Sequence, residues 1–111
     1  MPSRPVALIL HADSASRRAI ADALDPLGLR VVEAGSARQG LELAGQLHPD
    51  LVFLGDALPD GTAGETMRQL RAGGNTAPVV LLLQADADEV LREPVTADQV
   101  QHLVGQLLGG R

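Results

Sequence analysis

The chain contains no cysteine, tryptophan or tyrosine, and only one phenylalanine. Without cysteine there is no disulfide, no thiolate metal ligand and no thiol nucleophile. Without aromatic planes the core must be built from Leu, Val and Ala, and no stacking platform is available. Positive charge is also scarce. Nine basic residues face 14 acidic ones, giving a formal net charge of −5 and a pI near 4.9. That balance argues against a nucleic-acid or anionic-membrane surface, which needs a basic stripe. No apolar run approaches the ~18 residues of a membrane span, and Met1 to Arg4 is too short for a signal peptide. A soluble cytoplasmic protein is expected.

What is present is globular. The 111 residues are 45% apolar and 21% charged, enough for one domain with a single core, over residues 1–111. The stretch Asp50-Leu-Val-Phe-Leu-Gly-Asp-Ala-Leu-Pro-Asp-Gly61 organises the rest. Leu51 to Leu54 is a continuous apolar run between turn signals, which predicts a strand buried on both faces of a parallel sheet. Ligands and chemistry in such sheets sit at the carboxyl ends of the strands, here Gly55 and Asp56.

Other strands are predicted at Val6 to Leu10, Leu29 to Glu33, Pro78 to Leu83 and, weakly, Val90-Leu91. Helices are predicted between them. The first runs from Ser14 to about Leu27, with Asp13 or Ser14 as cap and Gly28 as stop. Ser36-Ala-Arg-Gln39 and Thr62-Ala-Gly-Glu65 are capping-box patterns opening the second and third helices, to about Leu47 and Ala72. Thr96-Ala-Asp-Gln99 opens the last. Its apolar residues Val100, Leu103, Val104, Leu107 and Leu108 fall at i, i+3, i+4, i+7 and i+8. Alternating strands and helices imply a parallel sheet covered on both faces. Only about five residues, Gln84 to Asp88, lie between the fourth and fifth strands, which is too few for a helical crossover.

In this order and spacing the residues resemble the response-regulator receiver domain. The cues are the Val6–Leu10 strand with its charged loop, Arg17-Arg18, Gly28, Asp50 to Pro59, Pro78-Val-Val and Glu93-Pro94-Val95. The resemblance covers Val6 to about Leu108. It implies a flavodoxin-like (CheY-like) three-layer sandwich with a five-stranded parallel sheet of order 2-1-3-4-5, here with the fourth helix deleted. It also implies a site this chain does not reproduce. The family's metal-holding acidic pair falls at His11 and Ala12, leaving Asp13 as the nearby acid. The phospho-accepting Asp falls at Gly55, the hydroxyl residue at Leu83, the Lys at Glu93 and the aromatic switch at Val90. Magnesium wants hard oxygen ligands, and phosphoryl transfer relies on metal and cation to neutralise charge. The expectation is therefore a degenerate receiver with no enzymatic activity and no cofactor. It would act as a phosphorylation-independent protein–protein interaction module in bacterial-type two-component signalling. The implied partners are a kinase, an output domain or a second copy, with neither nucleic acid nor membrane.

Two alternatives are kept, a small-ligand sensor for a nucleotide or anion and an atypical phosphoacceptor that uses Asp56. Asp56 reads more plainly as a turn residue, since one step along a strand reverses side-chain direction. His11, Asp13 and Asp56 are a conceivable metal set, although a solvated loop with Asp13 capping a helix is the simpler reading. His48 and His102 read as surface residues. Arg17 and Arg18 could hold a phosphate but read as a solvated helix face, and Gly61-Thr-Ala-Gly64 is a weak anion nest. The missing helix is expected to leave Val80, Leu82 and Val90 underprotected as an interaction or self-association surface. Glu93 and His11 would, if they meet, form a pair favouring the protonated imidazole.

Overall fold

The computed structural model describes residues 4–83, 90–92 and 97–108. Strands β1 (Val6–Leu10), β2 (Arg30–Ala34), β3 (Leu51–Gly55), β4 (Val79–Leu83) and β5 (Val90–Arg92) form one sheet. All four pairings are parallel, in the order β2-β1-β3-β4-β5. The α-helices are α1 (Ser14–Leu24), α2 (Ala37–Leu47), α3 (Ala63–Ala72) and α4 (Ala97–Leu108). This is the flavodoxin-like, CheY-like architecture. Residues 84–89 alone join β4 to β5. That is fewer than the dozen or so residues a helical crossover takes, so the domain is trimmed by one helix.

Side-chain alternation along the strands sorts the core into two layers. Ala7 and Ile9, Leu51 and Phe53, and Val80 and Leu82 face α1 and α4, where they meet Ile20, Ala23, Leu24, Val100 and Val104. Leu8 and Leu10 with Val52 and Leu54 face α2 and α3, against Ala37, Ala44 and Leu70. Every residue of β3 is buried, as a doubly covered central strand requires. The single aromatic residue, Phe53, is 0% exposed in the α1–α4 layer.

Val80 and Leu82 correct the expectation of an uncovered patch. They are 2% and 0% exposed. The helix that follows β5 packs on the α1 side and covers them, so they offer no surface. Their alternates Val79 and Leu81 lie on the α2–α3 side, where they pack half-buried. Val90 opens β5 beside Leu81, and its side chain is outside the described residues. The argument for self-association through this patch falls with the burial of Val80 and Leu82.

Local chemistry sets the helix ends. α1 stops at Leu24, three residues short of the predicted Leu27, because Pro26 cannot donate to an α-helical ladder. Asp25–Leu27 instead forms a 3₁₀ turn that ends on Gly28 at φ 78°. Ser36 caps α2, its Oγ accepting the Gln39 N–H at 3.2 Å. Thr62 and Glu65 complete the reciprocal capping box at α3. α2 ends on His48 in the left-handed region, φ 50°, in the C-cap position glycine usually fills.

Candidate functional site

The C-terminal edge of the sheet gathers the residues singled out from sequence. In the β1–β3 register Ala7 lies beside Leu51 and Leu10 beside Leu54. One step further sets His11 beside Gly55, both on the α1 side by alternation. The imidazole packs directly on the glycine. A β-carbon at position 55 would stand 3.1 Å from His11 Cδ2, 3.3 Å from Cγ and 3.5 Å from the Leu10 carbonyl.

His11 is braced on several sides. Its backbone N–H donates to the Ala34 carbonyl at 3.1 Å. Its carbonyl accepts from the Arg17 guanidinium. Its Nδ1 accepts the Asp13 N–H at 3.0 Å, which needs that nitrogen unprotonated. Arg17 is itself held by Glu33 at 3.4 Å, and Arg17 is the better buried of the two, 18% exposed against 39%. Arg17 is thus an internal tie between α1, β2 and the β1–α1 loop, rather than the solvated or phosphate-holding residue the sequence suggested. Arg18 is exposed.

Asp13 is the N-cap of α1. One carboxylate oxygen accepts from both the Ser16 N–H and the Ser16 hydroxyl, each at 2.9 Å. The Ser16 hydroxyl and then the Ser16 amide hold this carboxyl below its ordinary value. Asp56 follows β3 at a bend and is exposed. Among the described residues no three His, Asp or Glu side chains come together to hold a metal. His11, Asp13 and Asp56 therefore do not converge as the ligand set considered above. Leu83 ends β4 beside Arg92, while Glu93 lies outside the described residues, so its pairing with His11 does too.

Asp60 does something the sequence reading missed. Ala57–Leu58 and Gly61–Thr62 form a short antiparallel ribbon with Pro59 and Asp60 at its turn. Buried Leu58 anchors the ribbon in the α2–α3 layer. Asp60 then reaches the start of α2, 23 residues back. Its two oxygens accept the Ala37 N–H at 2.7 Å and the Arg38 N–H at 3.0 Å. The Arg38 amide and then the Ala37 amide keep its carboxyl below the ordinary value. Glu65 is lowered in the same way by the Thr62 amide and then the Thr62 hydroxyl. The Pro-Asp-Gly triplet signals the turn, but nothing local signals its partner.

Three of the helices that begin at this edge are therefore capped from within, α1 by Asp13, α2 by Ser36 and Asp60, and α3 by Thr62 and Glu65. Helix N-termini are natural anion sites. Here the chain's own carboxylates and hydroxyls occupy them. The weak nest at Gly61 to Gly64 is one of these occupied ends.

No family model matches the sequence. Individual proteins do. The chain is 35% identical over 106 residues to the KDP operon transcriptional regulatory protein KdpE of Escherichia coli, covering 85% of this chain and 47% of that protein. It is 31% identical over 102 residues to the transcriptional regulatory protein AfsQ1 of Streptomyces coelicolor, covering 82% and 45%. The chain thus spans just under half the length of these relatives. In structure it is similar to a two-component response regulator from Clostridium difficile, with a TM-score of 0.87, 19% identity and coverage of 96% of this chain and 97% of that one. It is also similar to the receiver domain of a Pseudomonas aeruginosa sensor histidine kinase, solved with a magnesium ion coordinated in its active site cleft. There the TM-score is 0.84 at 20% identity, covering 96% and 99%. The chain thus has the CheY-like fold of response-regulator receiver domains, and its sequence is similar to the transcriptional regulatory proteins just described.

Proposed function

We propose that this domain is a pseudo-receiver, a non-enzymatic protein–protein interaction module that works in two-component signal transduction without being phosphorylated. The observation that carries this reading is Gly55. It stands at the end of the central strand, where the family resemblance calls for the phospho-accepting Asp, and the His11 ring lies against it. The magnesium ion that the family implies does not fit the residues present. The positions for its ligands hold an imidazole, a methyl group and a glycine, and the adjacent carboxylate of Asp13 is spent on Ser16. Hard divalent cations want several oxygen ligands in a near-octahedral array. Position 93 carries a glutamate in place of the family's lysine, and all nine basic residues of the chain are arginines.

The two other readings are less well supported. An anion or nucleotide sensor needs open N–H donors or unspent cations at this edge, yet three carboxylates cap the helix starts and Arg17 is tied to Glu33. An acceptor role for Asp56 would need charge neutralisation nearby, and residue 56 lies exposed at a bend beside a glycine and an alanine. The partner class follows from the family, a histidine kinase or an output domain. The chain spans half of regulators described as transcriptional, so an output domain is the first partner to test. Nucleic acid and membrane are not proposed as direct partners, given the charge of −5.

Titration with beryllofluoride and Mg²⁺, followed by amide NMR shifts, tests the reading. No saturable shift is expected. A saturable shift centred on residues 11 to 13 and 55 to 56 overturns it.

A further inference from the structure

We propose that His11 is a built-in stopper and strut. Its ring fills the space above Gly55 and joins the β1–α1 loop to the end of β3. The inference rests on the reading of Gly55 as the former acceptor position.

The distances from a β-carbon at 55 to the imidazole, 3.1 and 3.3 Å, are tighter than ordinary van der Waals contact. Any side chain there needs the ring to give by a few tenths of an ångström. The ring is not a free flexible end. Turning it breaks the Nδ1 bond to the Asp13 N–H, and Asp13 is itself fixed as the cap of α1. Moving the whole residue breaks the Ala34 bond and the Arg17 contact, and Arg17 is anchored by Glu33. The obstacle at 55 is thus backed by three elements, β2, α1 and β1.

Two consequences follow. Glycine at 55 leaves the His11 ring undisturbed and is more than a lost acceptor. Restoring an Asp at 55 alone would therefore leave the site blocked. The same packing couples two loops that a shared cation would otherwise bridge, so this edge is held in one arrangement with no phosphoryl input. A receiver built this way presents its surface to a partner constitutively.

A double-mutant cycle tests the packing. Gly55→Ala should lower the urea midpoint, and the loss should shrink to less than half in the His11→Ala background. Equal losses in both backgrounds overturn the proposal. Should Gly55→Ala fail to fold, His11→Ala decides the point alone. The Gly55 and Asp56 amides should then exchange at least tenfold faster, with exchange in α2 and α3 unchanged. Unchanged exchange at 55 and 56 overturns the strut.

The stopper is tested with Mn²⁺ alone as the probe. In Ala12→Asp/Gly55→Asp, with His11 intact, no paramagnetic broadening is expected near residues 11 to 13 and 55 to 56. Adding His11→Asp should restore saturable broadening there. Broadening with His11 in place overturns the stopper, and so does its absence in the triple variant. A parent protein that responds to beryllofluoride would overturn the pseudo-receiver reading while leaving the packing cycle standing, so the two failures are distinguishable.

Discussion

At the scale of the residue, glycines carry much of the fold's information, and they differ in kind. Gly28 is needed for its left-handed backbone and Gly55 for its missing side chain. Within α2 one glycine needs its missing side chain and another does not. A β-carbon at Gly40 would overlap the Leu10 side chain, while at Gly45 it would meet nothing within 4 Å. Gly40→Ala should therefore destabilise the domain by about 1–3 kcal/mol through overpacking, despite the better helix propensity of alanine. Gly45→Ala should stabilise it by up to about 1 kcal/mol, the propensity gain alone. Denaturant unfolding of the two single variants checks both signs. Equal effects would mean that Leu10 repacks freely.

At the scale of the element, the caps show what a sequence can and cannot disclose. Ser36 and Thr62 are legible as helix starts because their partners, Gln39 and Glu65, lie three residues on. The burial of β3 is legible from its unbroken apolar run. Asp60 is not legible, because its partners in α2 lie 23 and 22 residues back in sequence. The His11–Gly55 contact sits between these cases. The two positions are 44 apart, the same offset as Ala7 and Leu51, so the register alone implies it once the strands are paired. The fate of Val80 and Leu82 turned on which face the last helix covers, and strand alternation fixes parity without fixing that choice. The Asp60 clamp leads to a test. Asp60→Ala should speed amide exchange at Ala37 and Arg38 and lower the urea midpoint, with exchange at α3 unchanged because its capping box is self-contained. Unaltered exchange at the start of α2 would mean that Ser36 alone suffices.

At the scale of the whole molecule, charge and stability are linked through the same edge. Asp13, Asp60 and Glu65 all have carboxyls lowered by hydrogen bonds they accept in the folded state. A depressed folded value means the contribution is complete above the unfolded carboxylate range, about pH 4, and is lost as pH falls through the folded values. The domain should therefore hold its urea midpoint from pH 7 to about 5 and lose it steeply below about 4. Asp60→Asn should start lower and fall less over the acid range. A parallel acid limb in the variant would remove Asp60 from the account. Among the described residues no helix is long and apolar enough to cross a membrane.

The two-layer core also imposes an order on the chain as it is made. The buried members of the α2–α3 layer end at Leu70, whereas the α1–α4 layer waits for Val100 and Val104. Translation delivers residues from the amino end at roughly 5–20 per second. Between Leu70 and Val100, about thirty residues and a matter of seconds at that rate, one side of the nascent sheet already has its buried set. The other, with α1 in place, still lacks Val100 and Val104 of α4. Chaperone capture or premature release would act on that open side, and the arrival of α4 ends the exposure.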